Sequence, residues 1–183
     1  MLLPQLFNFI FLTIVGEYIH LLGGVWRSYF RRFNKVQSCC HMINIRLALE
    51  SDLDAVYALV KVFATSFETE REAFNHSYSQ LLASANTYLA VAELEGKVVG
   101  YVLGFDHYTL YANGRVGWVE EIMVNELYRR QGIGEQLMIK YETWAIERGA
   151  RLIALATRRA DSFYKAIGYE ESATYFRKKL SGT

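Results

Sequence analysis

Apolar and polar residues alternate over positions 43–47 (Ile-Asn-Ile-Arg-Leu), the period of a strand with one covered face. The spacing then lengthens. Leu53, Val56, Leu59 and Val60 recur at helical intervals behind Ser51 and Asp52, two N-cap candidates. A second helical stretch is predicted over about 70–82. Residues 87–94 and 98–105 are rich in β-branched and aromatic side chains and are joined by Glu95-Gly96-Lys97, which predicts a hairpin. Asn113-Gly114 is a second hairpin signal, because both residues tolerate positive φ, and 115–124 reads as a fourth strand. Over 134–148, Leu137, Met138, Tyr141 and Ala145 share one helical face, with Gly149 as the stop. Thr143 and Glu147 point away from that face, although Ile139 and Ile146 make the outer side less polar. Residues 152–156 are wholly apolar, as expected of a strand buried on both faces. A short helix over about 160–167, ended by Gly168, and a last strand over about 169–179 complete the pattern. This order predicts a mixed α/β fold of α+β character: a twisted central sheet, flanking helices and one βαβ crossover.

Composition narrows the classes. The chain has 183 residues, 15% of them aromatic, which is too rich in aromatics for a disordered chain. A net charge of +1 gives no global attraction to nucleic acid. The only cysteines, Cys39 and Cys40, are adjacent, so a disulfide scaffold is excluded and a reducing, cytoplasmic setting is expected. No histidine stands at ligand spacing to a cysteine or to another histidine, so no metal is expected.

The charge is unevenly placed. Residues 1–41 carry Arg27, Arg31, Arg32 and Lys35 against Glu17 alone, while 42–183 is net −2. Within that extension, residues 6–26 approach the length of a membrane span, with Asn8, Glu17 and His20 against it. Two readings stand: a membrane or interfacial segment that leaves the rest of the chain in the cytoplasm, or a non-native or unstructured start upstream of Met42. The domain proper is expected over 42–183.

The chemistry concentrates at Arg129-Arg130-Gln131-Gly132-Ile133-Gly134, between a strand and an amphipathic helix. Two glycines one residue apart let the backbone aim its N–H groups at a common point. The helix start adds further donors and a positive dipole end. With two arginines, this is a seat for a phosphate or pyrophosphate. A Walker loop would need Lys-Ser/Thr where Glu135-Gln136 stand, and a dinucleotide fingerprint would need glycine at Leu137.

This loop resembles the Arg/Gln-x-x-Gly-x-Gly/Ala motif of the GNAT acyltransferase superfamily. The stretch Ala160-Asp161-Ser162-Phe163-Tyr164 through Gly168-Tyr169 resembles that family's Ala-x-x-Phe-Tyr-x-x-x-Gly-Phe/Tyr signature. The resemblance extends over 43–180. It implies a GNAT-type sheet and an acetyl-CoA-dependent N-acetyltransferase, with the pyrophosphate on residues 129–134. The acyl-pantetheine would lie between the fourth strand and 152–156, bonded by backbone groups of Ile122, Met123 and Val124. Tyr164 would stand near the sulfur as general acid. Thr157 replaces an asparagine that many members carry, which puts one orienting hydrogen bond in doubt. The short C-terminus leaves no long closing hairpin, so the pocket is either open or completed by a second subunit of a homodimer.

Glu120 and Glu121 are candidates for the base that deprotonates the amine. Strand neighbours point to opposite faces, so Glu120 groups with Trp118, Ile122 and Val124, and Glu121 with Val119 and Met123. Both faces read as buried, and burial raises a carboxylate pKa. Glu120 is slightly favoured, although a bulge would reverse the parity. The acceptor wall is expected from 67–84 and 106–113, with Tyr78, His107, Tyr108 and Tyr111, and the acceptor as a small-molecule or peptide amine. A non-catalytic acyl-CoA sensor is the rival reading.

Overall fold

The computed structural model describes residues 43–63 and 68–178. The candidate membrane segment and both cysteines lie outside the described residues. Among those described, no helix is long and apolar enough to cross a membrane.

The strands are β1 (Asn44–Leu47), β2 (Thr87–Leu94), β3 (Lys97–Thr109), β4 (Gly114–Val124) and β5 (Ala150–Leu155). The α-helices are α1 (Leu53–Phe63), α2 (Arg71–Ala83), α3 (Ile133–Glu147) and α4 (Asp161–Ala166). The five strands form one sheet in sequence order, antiparallel from β1 to β4 and parallel between β4 and β5 across α3. The expected mixed sheet with a single crossover is the observed one. Both turns form where expected, with positive φ at Glu95 and Gly96 (51° and 76°) in the first and, in the second, at Asn113 (55°) but not at Gly114.

Each face of the sheet has its own core. Ala90, Ala92, Val102 and Val119 pack on Leu137, Met138 and Tyr141 of α3. On the other face, Leu89, Val91, Tyr101, Leu103 and Met123 pack on Val56 and Leu59 of α1 and Tyr78 of α2. The α3 face is closely fitted: a Cβ on Gly104 would lie 2.3 Å from the Tyr141 ring, and one on Gly117 would lie 2.8 Å from its hydroxyl. That hydroxyl donates to the Phe105 carbonyl at 2.8 Å. The two glycines thus let α3 approach the sheet.

Several local expectations are corrected. Ser51 and Asp52 stand inside a 3-10 turn, Glu50–Asp52, rather than capping α1. The buried Asp52 carboxylate reaches back instead, accepting from the Leu49 N–H at 2.8 Å and from both terminal nitrogens of Arg46 at 2.6 and 2.8 Å. A buried charge is held by the strongest donors available, and here these lie upstream. β5 is an edge strand rather than one buried on both faces, and Leu152 is 45% exposed. Residues 169–178 form no strand. Glu142 is buried on α3, where Tyr169 donates to it at 3.1 Å.

Candidate active site

The site begins with a defect in the β3–β4 ladder. Val119 pairs with Gly104 and Glu121 with Leu103, which leaves Glu120 as an extra residue. Two residues opposing one make a β-bulge, and a bulge resets the alternation of side chains beyond it. Val119 accordingly packs on the α3 side, whereas Met123 packs on the α1–α2 side. Strict alternation would have kept those two together with Glu121. Ile122 and Val124 pack toward α3. Glu120, expected in a buried setting, is exposed, and Trp118 Nε1 donates to its carboxylate at 2.8 Å.

The neighbouring strand departs at the same level. β4–β5 pairing ends at Val119–Leu155, and residues 121–124 of β4 are registered with β3 alone. The backbone of Ile122, Met123 and Val124 therefore borders a gap between the strands.

Glu121 faces the other way from α3. It lines a cavity of about 100 Å³ with Leu89, Tyr101 and Leu103 from the sheet, Val56 and Val60 from α1, and Phe74, Ser77, Tyr78 and Leu81 from α2. Burial raises the Glu121 carboxyl above its ordinary pKa, the Tyr101 hydroxyl donating at 2.7 Å partly offsets this, and the Glu120 charge adds to the rise. Tyr101 is 1% exposed, and its own pKa is pushed up by burial beside that carboxylate. The sequence reading missed Tyr101; a lone phenol in the run Val98-Val99-Gly100-Tyr101-Val102 was the available signal.

The loop before α3 has the anticipated backbone character. Arg130 and Gly132 both have positive φ, 62° and 79°. Gly132 is the N-cap of α3, and a Cβ there would meet nothing within 4 Å, so its backbone stands open to an approaching group. Ile133, 1% exposed, anchors the loop in the core. Gly134 has a different reason. A Cβ there would lie 3.3 Å from the Phe163 ring, so its small size serves the packing of α4 on α3. The arginines also divide. Arg129 Nε donates to the Val124 carbonyl at 3.1 Å, while Arg130 and Gln131 are exposed.

Tyr164 is 7% exposed within the α3-side core, edge-on to Phe163 and Tyr169. Burial pushes its hydroxyl up to about 12. The Thr157 hydroxyl accepts from the Ala160 N–H at 3.1 Å and so shapes the turn into α4.

The two expected acceptor walls separate. α2 contributes Tyr78 to the cavity, but 106–113 lie at the opposite end of β4, around the Thr109–Gly114 pair. His107, Tyr108 and Tyr111 are exposed there. Asp106 is buried, and its carboxylate is held by Arg115 and Arg148.

The geometry is thus a bulged strand whose pairing with β5 ends early, with a carboxylate on one side, a tyrosine on the other and an open glycine turn beyond its end. The model of the acetyltransferase (GNAT) family matches residues 53–169. The chain is a member of the GNAT acetyltransferase family. An aminoalkylphosphonate N-acetyltransferase of Salmonella typhimurium is 32% identical over 154 residues, 82% of this chain and 97% of that one. An aminoglycoside N(6')-acetyltransferase of Acinetobacter genomosp. 13 is 33% identical over 108 residues, 55% of this chain and 70% of that one. Among solved structures, an aminoglycoside N-acetyltransferase in complex with CoA superposes with a TM-score of 0.66 at 21% identity, over 78% of this chain and 99% of that one. This GNAT protein is an acetyl-CoA-dependent N-acetyltransferase. None of these relatives supports a non-catalytic sensor.

Proposed function

We propose that this acetyltransferase binds acetyl-CoA with its pyrophosphate at Gly132 and the start of α3, and its acyl-pantetheine in the gap between β4 and β5. Backbone groups of Ile122, Met123 and Val124 border the thioester, and Arg130 and Gln131 face the phosphates from the loop. Arg129 supports the site from behind through the Val124 carbonyl. A gap with Glu121 on one face and Tyr164 on the other carries this reading, because an acyl group held there reaches both.

The chemistry follows. Glu121, rather than the exposed Glu120, takes a proton from the acceptor ammonium. The neutral nitrogen forms a bond to the acyl carbon, and the carbon–sulfur bond breaks. Tyr164 gives its proton to the departing sulfur and is restored by the proton the new amide nitrogen releases. A phenol with a pKa raised to about 12 is fully protonated at neutral pH and able to donate. Thr157 shapes the turn before α4. The acceptors named for the two relatives are small amines, which supports a small-molecule acceptor here. We place the catalytic domain at 42–183, in the cytoplasm and downstream of the 1–41 extension, and a homodimer is one arrangement that would close the open acceptor side.

The test is Glu121→Gln against Glu120→Gln, assayed by thiol release across pH. Glu121→Gln should lower kcat about a hundredfold, the lower end of general-base contributions, and flatten the rise of rate with pH. Coenzyme affinity by calorimetry should hold. A folded-state pKa above the unfolded value means that stability is lost as pH rises through it. The glutamine variant lacks that loss and should be at least as stable as the parent above neutrality. A larger kinetic effect at Glu120 would overturn the assignment.

A further inference from the structure

We infer that the acceptor is a primary amine on a short, uncharged, apolar carbon stem, and that an anionic group close to the amine is excluded. The inference rests on the catalytic reading above, since it takes the Glu121 cavity as the place where the amine is bound.

The lining of that cavity is lopsided. Val56, Val60, Leu81, Leu89 and Leu103 supply aliphatic wall, and the rings of Phe74, Tyr78 and Tyr101 supply the rest of its apolar surface. The polar tips are already engaged. Tyr101 donates to Glu121 at 2.7 Å, and Tyr78 donates to the Leu49 carbonyl at 2.8 Å. Among the described residues no lysine, arginine or histidine lines the cavity. The cations of α1 and α2 are held outside it: Arg71 pairs with Asp54 and lies over the Tyr57 ring, and Lys61 lies over the same ring. Arg46 is spent on Asp52 and Glu93.

A phosphonate or carboxylate buried in a site needs a guanidinium, an ammonium or a set of aimed N–H groups. This cavity offers a carboxylate instead, with Glu120 near enough to raise its pKa further. Both charges attract an ammonium and repel an anion beside it. Desolvation also lowers the pKa of an ammonium entering an apolar wall while it raises that of Glu121, so the proton transfer becomes better matched. Size sets the stem. A cavity of 150 Å³ admits the six carbons of benzene, so about 100 Å³ accommodates about four non-hydrogen atoms, most of a short alkylamine. A polycationic sugar is too large to enter, and its amines would find one carboxylate rather than several.

The test compares n-butylamine and isoamylamine with 1-aminoethylphosphonate and kanamycin, by thiol release from acetyl-CoA with the full chain. The alkylamines should give kcat/KM at least tenfold above the other two. Ser77, exposed on α2 at the cavity rim, permits the reverse experiment. Ser77→Arg supplies the missing cation, and should lower kcat/KM for butylamine and raise it for the aminophosphonate, each severalfold. Val60→Phe fills the cavity, and should raise KM for butylamine while acetyl-CoA affinity by calorimetry is kept. Equal or better use of the aminophosphonate or kanamycin by the parent enzyme would overturn the acceptor inference and leave the catalytic reading standing. No thiol release with any of the four amines, while acetyl-CoA binding by calorimetry is intact, would overturn both.

Discussion

The two faces of the sheet are built to different tolerances. Against α3 the surface is filled: Tyr88, Tyr141 and Trp144 make mutual ring contacts at 5.3–5.8 Å, and two glycines admit the Tyr141 ring. Against α1 and α2 there is a cavity and a half-buried carboxylate of raised pKa. The difference separates two tasks. The α3 face sets the position of β4 and of the turn proposed to bind the pyrophosphate, which a reaction needs held to fractions of an ångström. The α1–α2 face carries the space and the buried charge that the proposed acceptor site would use. The bulge at Glu120 joins the two, since one inserted residue moves Glu121 off the face that Val119 occupies.

Four substitutions would break or sharpen this contrast. The largest effect is expected at the far end of the sheet, where Asp106 ties the β3–β4 hairpin to the end of α3. Asp106→Ala leaves Arg115 and Arg148 without their shared carboxylate, with only the Asn86 side-chain oxygen still bridging them, and should cost about 3 kcal/mol in urea unfolding, the low end for a broken buried pair because both arginines are partly exposed. Burial alone would raise the Asp106 carboxyl, but hydrogen bonds from Arg148 and Arg115 hold it below its ordinary value. Its contribution is therefore complete above the unfolded carboxylate pKa of about 3.9 and is lost as pH falls through the folded one. The variant should show a shallower acid limb of stability than the parent.

Next is Gly104→Ala, which drives a Cβ to 2.3 Å from a ring fixed by its hydrogen bond to Phe105. An expected loss of about 2 kcal/mol, typical of overpacking, would confirm that the α3 face has no slack. An unchanged melting temperature would deny it. Gly132→Val comes third, with a strain of about 1–2 kcal/mol for a β-branched residue at positive φ. Its distinguishing result is a fall of more than about tenfold in coenzyme A affinity by calorimetry, equal to about 1.4 kcal/mol. The smallest effect is Tyr101→Phe. The lost hydrogen bond had stabilised the ionised Glu121, so the acid limb of kcat should move to higher pH while coenzyme affinity stays as it was.

The backbone of the turn before α3 was legible because its signal is local. Gly132, the arginines and the helix start lie within six residues, and Tyr164 lies inside a contiguous signature. The choice between Glu120 and Glu121 was not legible by alternation, since parity along β4 depends on a mismatch with β3 some twenty residues away. Whether the two expected acceptor-wall segments share one place was not legible for a similar reason. The segments 67–84 and 106–113 both carry aromatic residues, but only the strand register reveals that the second sits at the end of β4 away from the Glu121 cavity.

By itself, the order of residues determined five of the strands, the helices, where the chain turns, and that a glycine turn precedes α3. These depend on contacts only a few positions apart, where spacing translates directly into geometry. The tertiary structure alone decided which carboxylate is shielded from water, that β5 parts from β4 beyond Val119, that 169–178 do not extend the sheet, and that no cation lines the cavity among the described residues. Each of those depends on what a side chain or strand edge meets from a distant part of the chain, and solvent exclusion is a property of the assembled layers.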